Sequence, residues 1–311
     1  MTVFQLLVFA RWIHFSAVFV LFGSSLFWLY MGEMRPAPGL CALPRARHAT
    51  TILLRIAAPV ATLSGLAWLA GILANIAGGW RSVVDPVSLH LFFFATQFGP
   101  VAILRLVLLA VALVIAVLPS ASRAWLTAQV CVAALLLVNQ AWLGHAAEGS
   151  AGAYGTLMII AYSLHLLAAA AWVGGLVPLL LALSELRHAN PDNARARTFS
   201  IMSRYSLMAM VAVTVIVSSG IANAGFRVAD AFNKLFWTNY GNVLGAKLFV
   251  VALMLALAYV NRFVAMPRLR VVATKEMMQT AGLRASIAIE LMLGVLVLGI
   301  AAVLGITPPP Q

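Results

Sequence analysis

The chain has 311 residues, of which 63% are hydrophobic and only 9% are charged. Soluble globular domains contain about 25% charged residues, so this composition excludes a soluble enzyme or binding module and indicates an integral membrane protein. The net charge of +12 does not indicate nucleic-acid binding, because the basic residues lie mainly between apolar runs, where they orient a protein in the bilayer.

Eight apolar runs are long enough to cross about 30 Å of hydrocarbon as α-helices. The predicted spans are 4–31, 51–77, 97–118, 123–145, 155–184, 200–226, 241–264 and 282–306. Long apolar runs indicate helices rather than the short alternating segments of a barrel. We expect the first span to be a retained membrane helix, because it has neither the basic start nor the cleavage site of a signal peptide.

The odd-numbered connections between spans contain most of the loop arginines. They hold Arg35, Arg45 and Arg47 in the first, Arg123 in the third, Arg187, Arg195 and Arg197 in the fifth, and Arg268, Arg270 and Lys275 in the seventh. Lysine and arginine accumulate in cytoplasmic loops. The predicted topology therefore has odd connections in the cytoplasm and both termini in the periplasm.

Two spans contain one histidine each in a similar setting. His14 in span 1 precedes Gly23, and His165 in span 5 precedes Gly174, so that both pairs are offset by 151 positions. A histidine in hydrocarbon is costly and usually functional. Two neutral imidazoles could hold a copper ion or clamp a haem iron axially. The alternative is a structural pair, hydrogen-bonded in the bundle interior.

Further pairings in the same order indicate that the chain consists of two repeats. Ser64-Gly65 matches Ser219-Gly220, Arg105 matches Lys247, and Gln129 matches Glu290. The predicted fold is all-α, with eight membrane helices in two four-helix halves, 1–150 and 151–311. Because four is even, the halves run the same way, as parallel repeats related by an axis along the membrane normal, with a site at their interface.

Other side chains are candidate ligands along a cation path. His145 and Glu148 lie in the outer connection after span 4 and could collect a cation at its entrance. Met158 lies two helical turns before His165 on the same face, and its thioether suits Cu(I). Within the membrane, Arg105 or Lys247 is predicted to pair with Glu290, because an unpaired charge at this depth is expensive.

Several of these motifs resemble those of the copper resistance protein D (CopD/PcoD) family of bacterial inner-membrane proteins. They are His165 with Trp172-Val173-Gly174-Gly175, Tyr240-Gly241 with Lys247-Leu248, and Asn261-Arg262-Phe263. The resemblance implies copper transport from periplasm to cytoplasm rather than an enzymatic reaction. It also implies a separate periplasmic partner of the CopC type, and that His14 and His165 match the family's intramembrane histidines.

Span 1 also resembles the first helix of membrane protoporphyrinogen oxidases of the HemJ type, which bind haem. This resemblance leaves a second hypothesis, a membrane oxidoreductase in which His14 and His165 are the axial ligands of haem b. In either case the chain lacks a GxxxxGK[ST] phosphate-binding loop. Transport driven by ATP hydrolysis within this chain is therefore not expected.

Overall fold

The computed structural model describes residues 2–31, 43–118, 122–143, 152–187, 191–228, 235, 237–271 and 276–308. These residues form helices and turns without any β-strand. Among them are eight helices long and apolar enough to cross a membrane. The prediction of an all-α integral membrane protein is thereby confirmed.

The described residues form five α-helices in the N-terminal half and five in the C-terminal half. The first five are α1 (Val3–Met31), α2 (Pro44–Ile76), the short α3 (Pro86–His90), α4 (Gly99–Val117) and α5 (Arg123–Asn139). The others are α6 (Ala153–Leu186), α7 (Pro191–Val228), α8 (Asn239–Val260), the short α9 (Met266–Val271) and α10 (Glu276–Leu304).

The long helices coincide with the predicted spans, although α2, α7 and α10 begin several residues before their apolar runs. The extra turns of α2 and α7 contain arginines, including Arg45 and Arg195. Arginine and alanine are good helix formers, so the helix continues beyond the hydrophobic segment. Hydropathy marks only the part that lies in hydrocarbon, and for that reason the predicted starts were late.

Helices α1 and α6 form the centre of the bundle. In their apolar segments, 61% and 67% of the residues are buried inside the protein. In α7, and in the span Asn239–Arg268 that begins with α8, the share is only 11%. A helix that is hydrophobic all round is expected to be enclosed by other helices, and α1 and α6 fit that description. Side chains on these two helices are therefore best placed to form an intramembrane site.

The central helices cross at Gly23 and Gly174. A Cβ atom added to Gly23 would lie 2.6 Å from the Gly174 backbone, and one on Gly174 would overlap the backbone of Phe19. The hydroxyl of Ser24 donates to the Gly174 carbonyl at 3.1 Å. Small residues permit such close approach of helices in membranes. His14 and His165 each precede this crossing by nine residues, about 13 Å at the helical rise.

Candidate functional site

The imidazole of His14 is fully enclosed, with 0% of the residue exposed. Its Nδ1 lies 2.8 Å from the Ala61 carbonyl oxygen on α2, and its Nε2 lies 2.7 Å from the Arg105 guanidinium on α4. A carbonyl only accepts hydrogen bonds and a guanidinium only donates them. The ring is therefore neutral, with its proton on Nδ1 and its lone pair on Nε2 directed at Arg105.

A hydrogen-bonded chain extends from Arg105 to the last long helix of this half. The Arg105 side chain is 1% exposed, and its Nη1 donates to Asn139 Oδ1 on α5 at 3.0 Å. Asn139 Nδ2 donates in turn to the Val101 carbonyl on α4 at 3.2 Å. Together with the bond to Ala61, these contacts connect all four long helices of the N-terminal half around His14.

An indole lies beside the histidine and beneath two guanidinium groups. The Arg105 and Arg11 guanidiniums lie 4.9 Å and 5.6 Å from the Trp68 ring centroid, and the His14 ring lies 5.9 Å from it. A cation over an indole face is stabilised by the ring quadrupole. Sequence reasoning missed Trp68, although its position one helical turn after Ser64 places it on the same face of α2.

The second histidine makes a similar contact in the C-terminal half. His165 Nδ1 lies 3.2 Å from the Ile216 carbonyl oxygen and 3.1 Å from Ser219 Oγ on α7. The Ser219 hydroxyl donates to the Val215 carbonyl, so its oxygen accepts from Nδ1–H of the imidazole. His165 is half-buried, and its environment is therefore less enclosed than that of His14.

The two histidines contact equivalent positions of the second long helix in each half. Ala61 and Ser64 on α2 precede Ile216 and Ser219 on α7 by the same 155 positions. The Ser64 hydroxyl donates to a carbonyl four residues earlier, as that of Ser219 does. Each histidine thus bonds through Nδ1 to the second long helix of its own half.

The remaining predicted ligands are distributed along the chain. Met158 is buried on α6, with 6% of the residue exposed. His145 and Glu148 fall outside the described residues. Within the part of the chain that the structure describes, no three histidine, cysteine, aspartate or glutamate side chains come close enough to hold a metal ion. Any site at His14 or His165 must therefore use few protein ligands of these types.

The segment between α2 and α4 has a local structural role. Asp85 is the N-cap of α3, and its Oδ2 accepts from the Ser88 backbone N–H at 2.9 Å and from the Ser88 hydroxyl at 2.6 Å. These bonds lower the pKa of the Asp85 carboxyl. His90 at the end of α3 is exposed. Asp85 thus stabilises the start of α3.

The buried acid Glu290 has neutral partners. Its carboxylate accepts from Trp172 Nε1 at 2.9 Å and from Asn261 Nδ2 at 3.3 Å. Arg105, one of the two bases predicted to pair with it, is bonded instead to His14 and Asn139. Arg105 is satisfied within the N-terminal half, whereas Glu290 belongs to the C-terminal half.

Comparison with known protein families gives two matches that together cover most of the chain. Residues 1–156 match the family model described as copper resistance protein D-like, N-terminal domain. Residues 199–304 match the model described as copper resistance protein D. No solved structure matches the chain significantly.

Three curated relatives are similar over long stretches. The inner membrane protein YebZ of Escherichia coli K12 is 27% identical over 84% of this chain and 84% of its own length. The copper transport protein CutJ of Bacillus subtilis 168 is 32% identical over 76% of this chain, and the match spans 42% of CutJ. Copper resistance protein D of Pseudomonas syringae pv. tomato is 36% identical over 56% of each chain.

The chain therefore spans about half the length of the two relatives whose names mention copper. Both of its halves nevertheless match models of one family, and the N-terminal match alone covers half of the residues. The chain belongs to the copper resistance protein D family.

Proposed function

We propose that this chain is a multi-pass protein of the bacterial inner membrane that transports copper from the periplasm to the cytoplasm. Copper is the substrate, and His14 and His165 are its intramembrane ligands. The membership of the copper resistance protein D family and a relative named as a copper transport protein support copper as substrate. A relative named as an inner membrane protein supports this location.

The observation that carries the proposal is the state of His14. It is a buried, neutral imidazole whose Nε2 lone pair is held by the guanidinium of Arg105. A metal ion needs that lone pair, so copper binds at His14 only when the guanidinium withdraws. Asn139 and the Trp68 ring also contact the Arg105 guanidinium. The guanidinium can remain with these two partners while copper is bound to His14.

The nearby positive charge favours transient rather than tight binding. Two unit charges at 4 Å repel by about 4 kcal/mol at an effective dielectric constant near 20. Arg105 next to a bound copper ion would therefore speed its release. A transport site has to bind its ion strongly enough to admit it and weakly enough to let it leave. The arrangement around His14 suits passage better than storage.

We also propose that the halves are parallel repeats with a copper path between them. The shared register of the histidine contacts and the crossing at Gly23 and Gly174 support this relationship. In both halves a hydrogen bond at Nδ1 fixes the imidazole tautomer, which makes Nε2 the ligand atom. Met158 on α6 is proposed as a supplementary thioether ligand.

Copper is proposed to arrive on the periplasmic side near His145 and Glu148, delivered by a separate CopC-type protein. The chain acts on copper as a carrier rather than as an enzyme. The names of the matching family models and relatives mention copper or the inner membrane, and none mentions haem. Copper transport is therefore preferred to the haem oxidoreductase suggested by the resemblance of span 1.

The test compares cellular copper accumulation and bound copper in His14→Ala, His165→Ala and Met158→Ala at matched membrane levels. We expect both histidine variants to fall to the level of cells without the protein, and Met158→Ala to retain most accumulation. His48→Ala is the control, because His48 is exposed on the first turns of α2. Wild-type accumulation in both histidine variants would refute the site, and a Soret band in the purified protein would favour haem.

A further inference from the structure

A second polar position lies inside the C-terminal half, away from the histidines. It is a small cavity of about 30 Å³ between α6, α7, α8 and α10. Its lining includes Glu290, Trp172, Tyr205, Asn261, Met202 and Met266. A volume of this size has room for a single ion or a water molecule.

The carboxylate of Glu290 is the unusual group in this lining. Glu290 is 3% exposed, and Trp172 and Asn261 supply one neutral N–H each. An ionised carboxylate can accept about four hydrogen bonds, so acceptor capacity remains. The Tyr205 hydroxyl does not use it, because it donates to the Trp172 carbonyl at 2.7 Å.

No permanent cation balances this acid within the described part of the chain. Arg262 lines the same cavity, but neither it nor any other described arginine or lysine forms an ion pair with Glu290. A buried charge without a counter-charge is expensive in a membrane, and such residues mark ion pathways. An ionised Glu290 would therefore give the cavity the negative charge of a cation site.

Two thioethers lie among the side chains that line this cavity. Met202 on α7 and Met266 at the start of α9 line the cavity, and each is 3% exposed. Methionine sulfur is a soft ligand that selects Cu(I), whereas Mg²⁺ and Ca²⁺ prefer oxygen ligands. A carboxylate with two thioethers suits a soft monovalent cation better than a hard divalent one.

The cavity also lies at a different depth from the histidines. Trp172 follows His165 by seven residues on α6, about 10 Å along the helix axis. This displacement is toward the fifth connection, which the loop arginines predict to be cytoplasmic. An ion moving inward from His165 would next meet Glu290.

We infer that Glu290, Met202 and Met266 form a second Cu(I) site on the cytoplasmic side of the histidines. This inference rests on the proposed transport of copper and assigns the next ligand set on the path. The N-terminal half has Gln129 at the matching position, 1% exposed and with neither amide atom hydrogen-bonded. A neutral amide does not attract a cation, so the matching position in the N-terminal half does not repeat the site.

The experiment titrates purified protein in detergent with Cu(I) in competition with a chromophoric Cu(I) chelator. We expect Glu290→Gln and the double variant Met202→Leu/Met266→Leu each to lose one bound copper equivalent. Met292→Leu is the control, because Met292 is 72% exposed on the same helix as Glu290. Leucine has nearly the volume of methionine, so the double variant preserves the packing while removing both sulfurs.

His14→Ala separates this inference from the proposed function. That variant should retain the Glu290-dependent copper equivalent even if it no longer transports copper. Full copper binding in a folded Glu290→Gln variant, or in a folded methionine double variant, would overturn the site. Full binding in Glu290→Gln with abolished uptake would also overturn it, because that combination assigns the carboxylate to proton movement. Gel filtration identifies folded variants, and either folded variant alone decides the question.

Discussion

The Arg105 guanidinium lies 2.7 Å from the Nε2 atom of His14, inside a four-helix group in which neither side chain reaches solvent. A cation is thus bonded to the lone pair that a copper ion would need. Under the proposed function, Arg105 competes with the substrate for His14. This competition makes the effect of replacing Arg105 predictable in sign.

Replacing Arg105 with glutamine should tighten copper binding at His14. The variant removes a positive charge next to the ligand atom but keeps a polar side chain at this position. We expect an affinity gain of about tenfold or more, since even 1.4 kcal/mol of relieved repulsion gives that factor. The measurement is the dissociation constant of the copper equivalent that is lost in His14→Ala.

The same substitution should also destabilise the fold. It weakens a buried, charge-assisted hydrogen bond to a neutral acceptor, which costs about 1–3 kcal/mol. Arg55→Gln is the control, because Arg55 is exposed and donates only to the Leu118 carbonyl at 3.3 Å. Unchanged copper affinity in Arg105→Gln would contradict competition at His14.

The glycines that follow the paired serines should differ in their tolerance of a methyl group. A Cβ atom on Gly65 would lie 3.1 Å from the His14 ring and 2.9 Å from Leu109 Cδ1. One on Gly220 would lie 3.5 Å from the His165 ring, an ordinary contact. We expect Gly65→Ala to reduce copper accumulation severalfold and Gly220→Ala to resemble wild type. Equal losses of copper accumulation in the two variants would show that the space around the His14 ring is not tighter than that around the His165 ring.

Hydropathy alone was enough to predict the membrane helices. Each long helix coincides with a predicted span, because burial in hydrocarbon requires an uninterrupted apolar run with its backbone hydrogen-bonded internally. The starts of α2 and α7 were not predictable in this way. Helix propensity and local packing determine whether the arginine-rich turns outside the hydrocarbon are helical. Hydropathy measures neither of these properties.

The unusual side chains were also identifiable from the sequence, but their partners were not. His14, Arg105 and Glu290 are conspicuous because polar groups are rare in apolar spans. Opposite charge suggested that Arg105 or Lys247 pairs with Glu290, whereas the structure joins Arg105 to two neutral acceptors. The partner of Arg105 depends on which helices pack against α4. That arrangement depends on packing across the whole bundle.

The membrane orientation gives a prediction that needs no purified protein. The loop arginines predict that both termini lie in the periplasm. Alkaline phosphatase fused after the last residue should be active, and green fluorescent protein at the same position should be dark. The opposite pattern would place the Glu290 cavity on the periplasmic side and would reverse the order of the two proposed sites.

The crossing of α1 and α6 supplies the last prediction. Helix propensity alone would make Gly→Ala favourable by about 1 kcal/mol. At Gly23 the added carbon would lie 2.6 Å from the Gly174 backbone, which cannot rotate away as a side chain can. We expect Gly23→Ala to separate the central helices and to destabilise the protein by about 1–3 kcal/mol, as overpacking does.

Gly245→Ala is the matched control, because a Cβ atom there meets nothing within 4 Å. It should leave the melting temperature in detergent unchanged or slightly higher. Gly174→Ala should resemble Gly23→Ala. The double variant should cost less than the sum of the two, since one separation of the helices relieves both overlaps. Additive losses, or a melting temperature in Gly23→Ala equal to that of Gly245→Ala, would mean that α1 and α6 do not make this close backbone contact in the membrane protein.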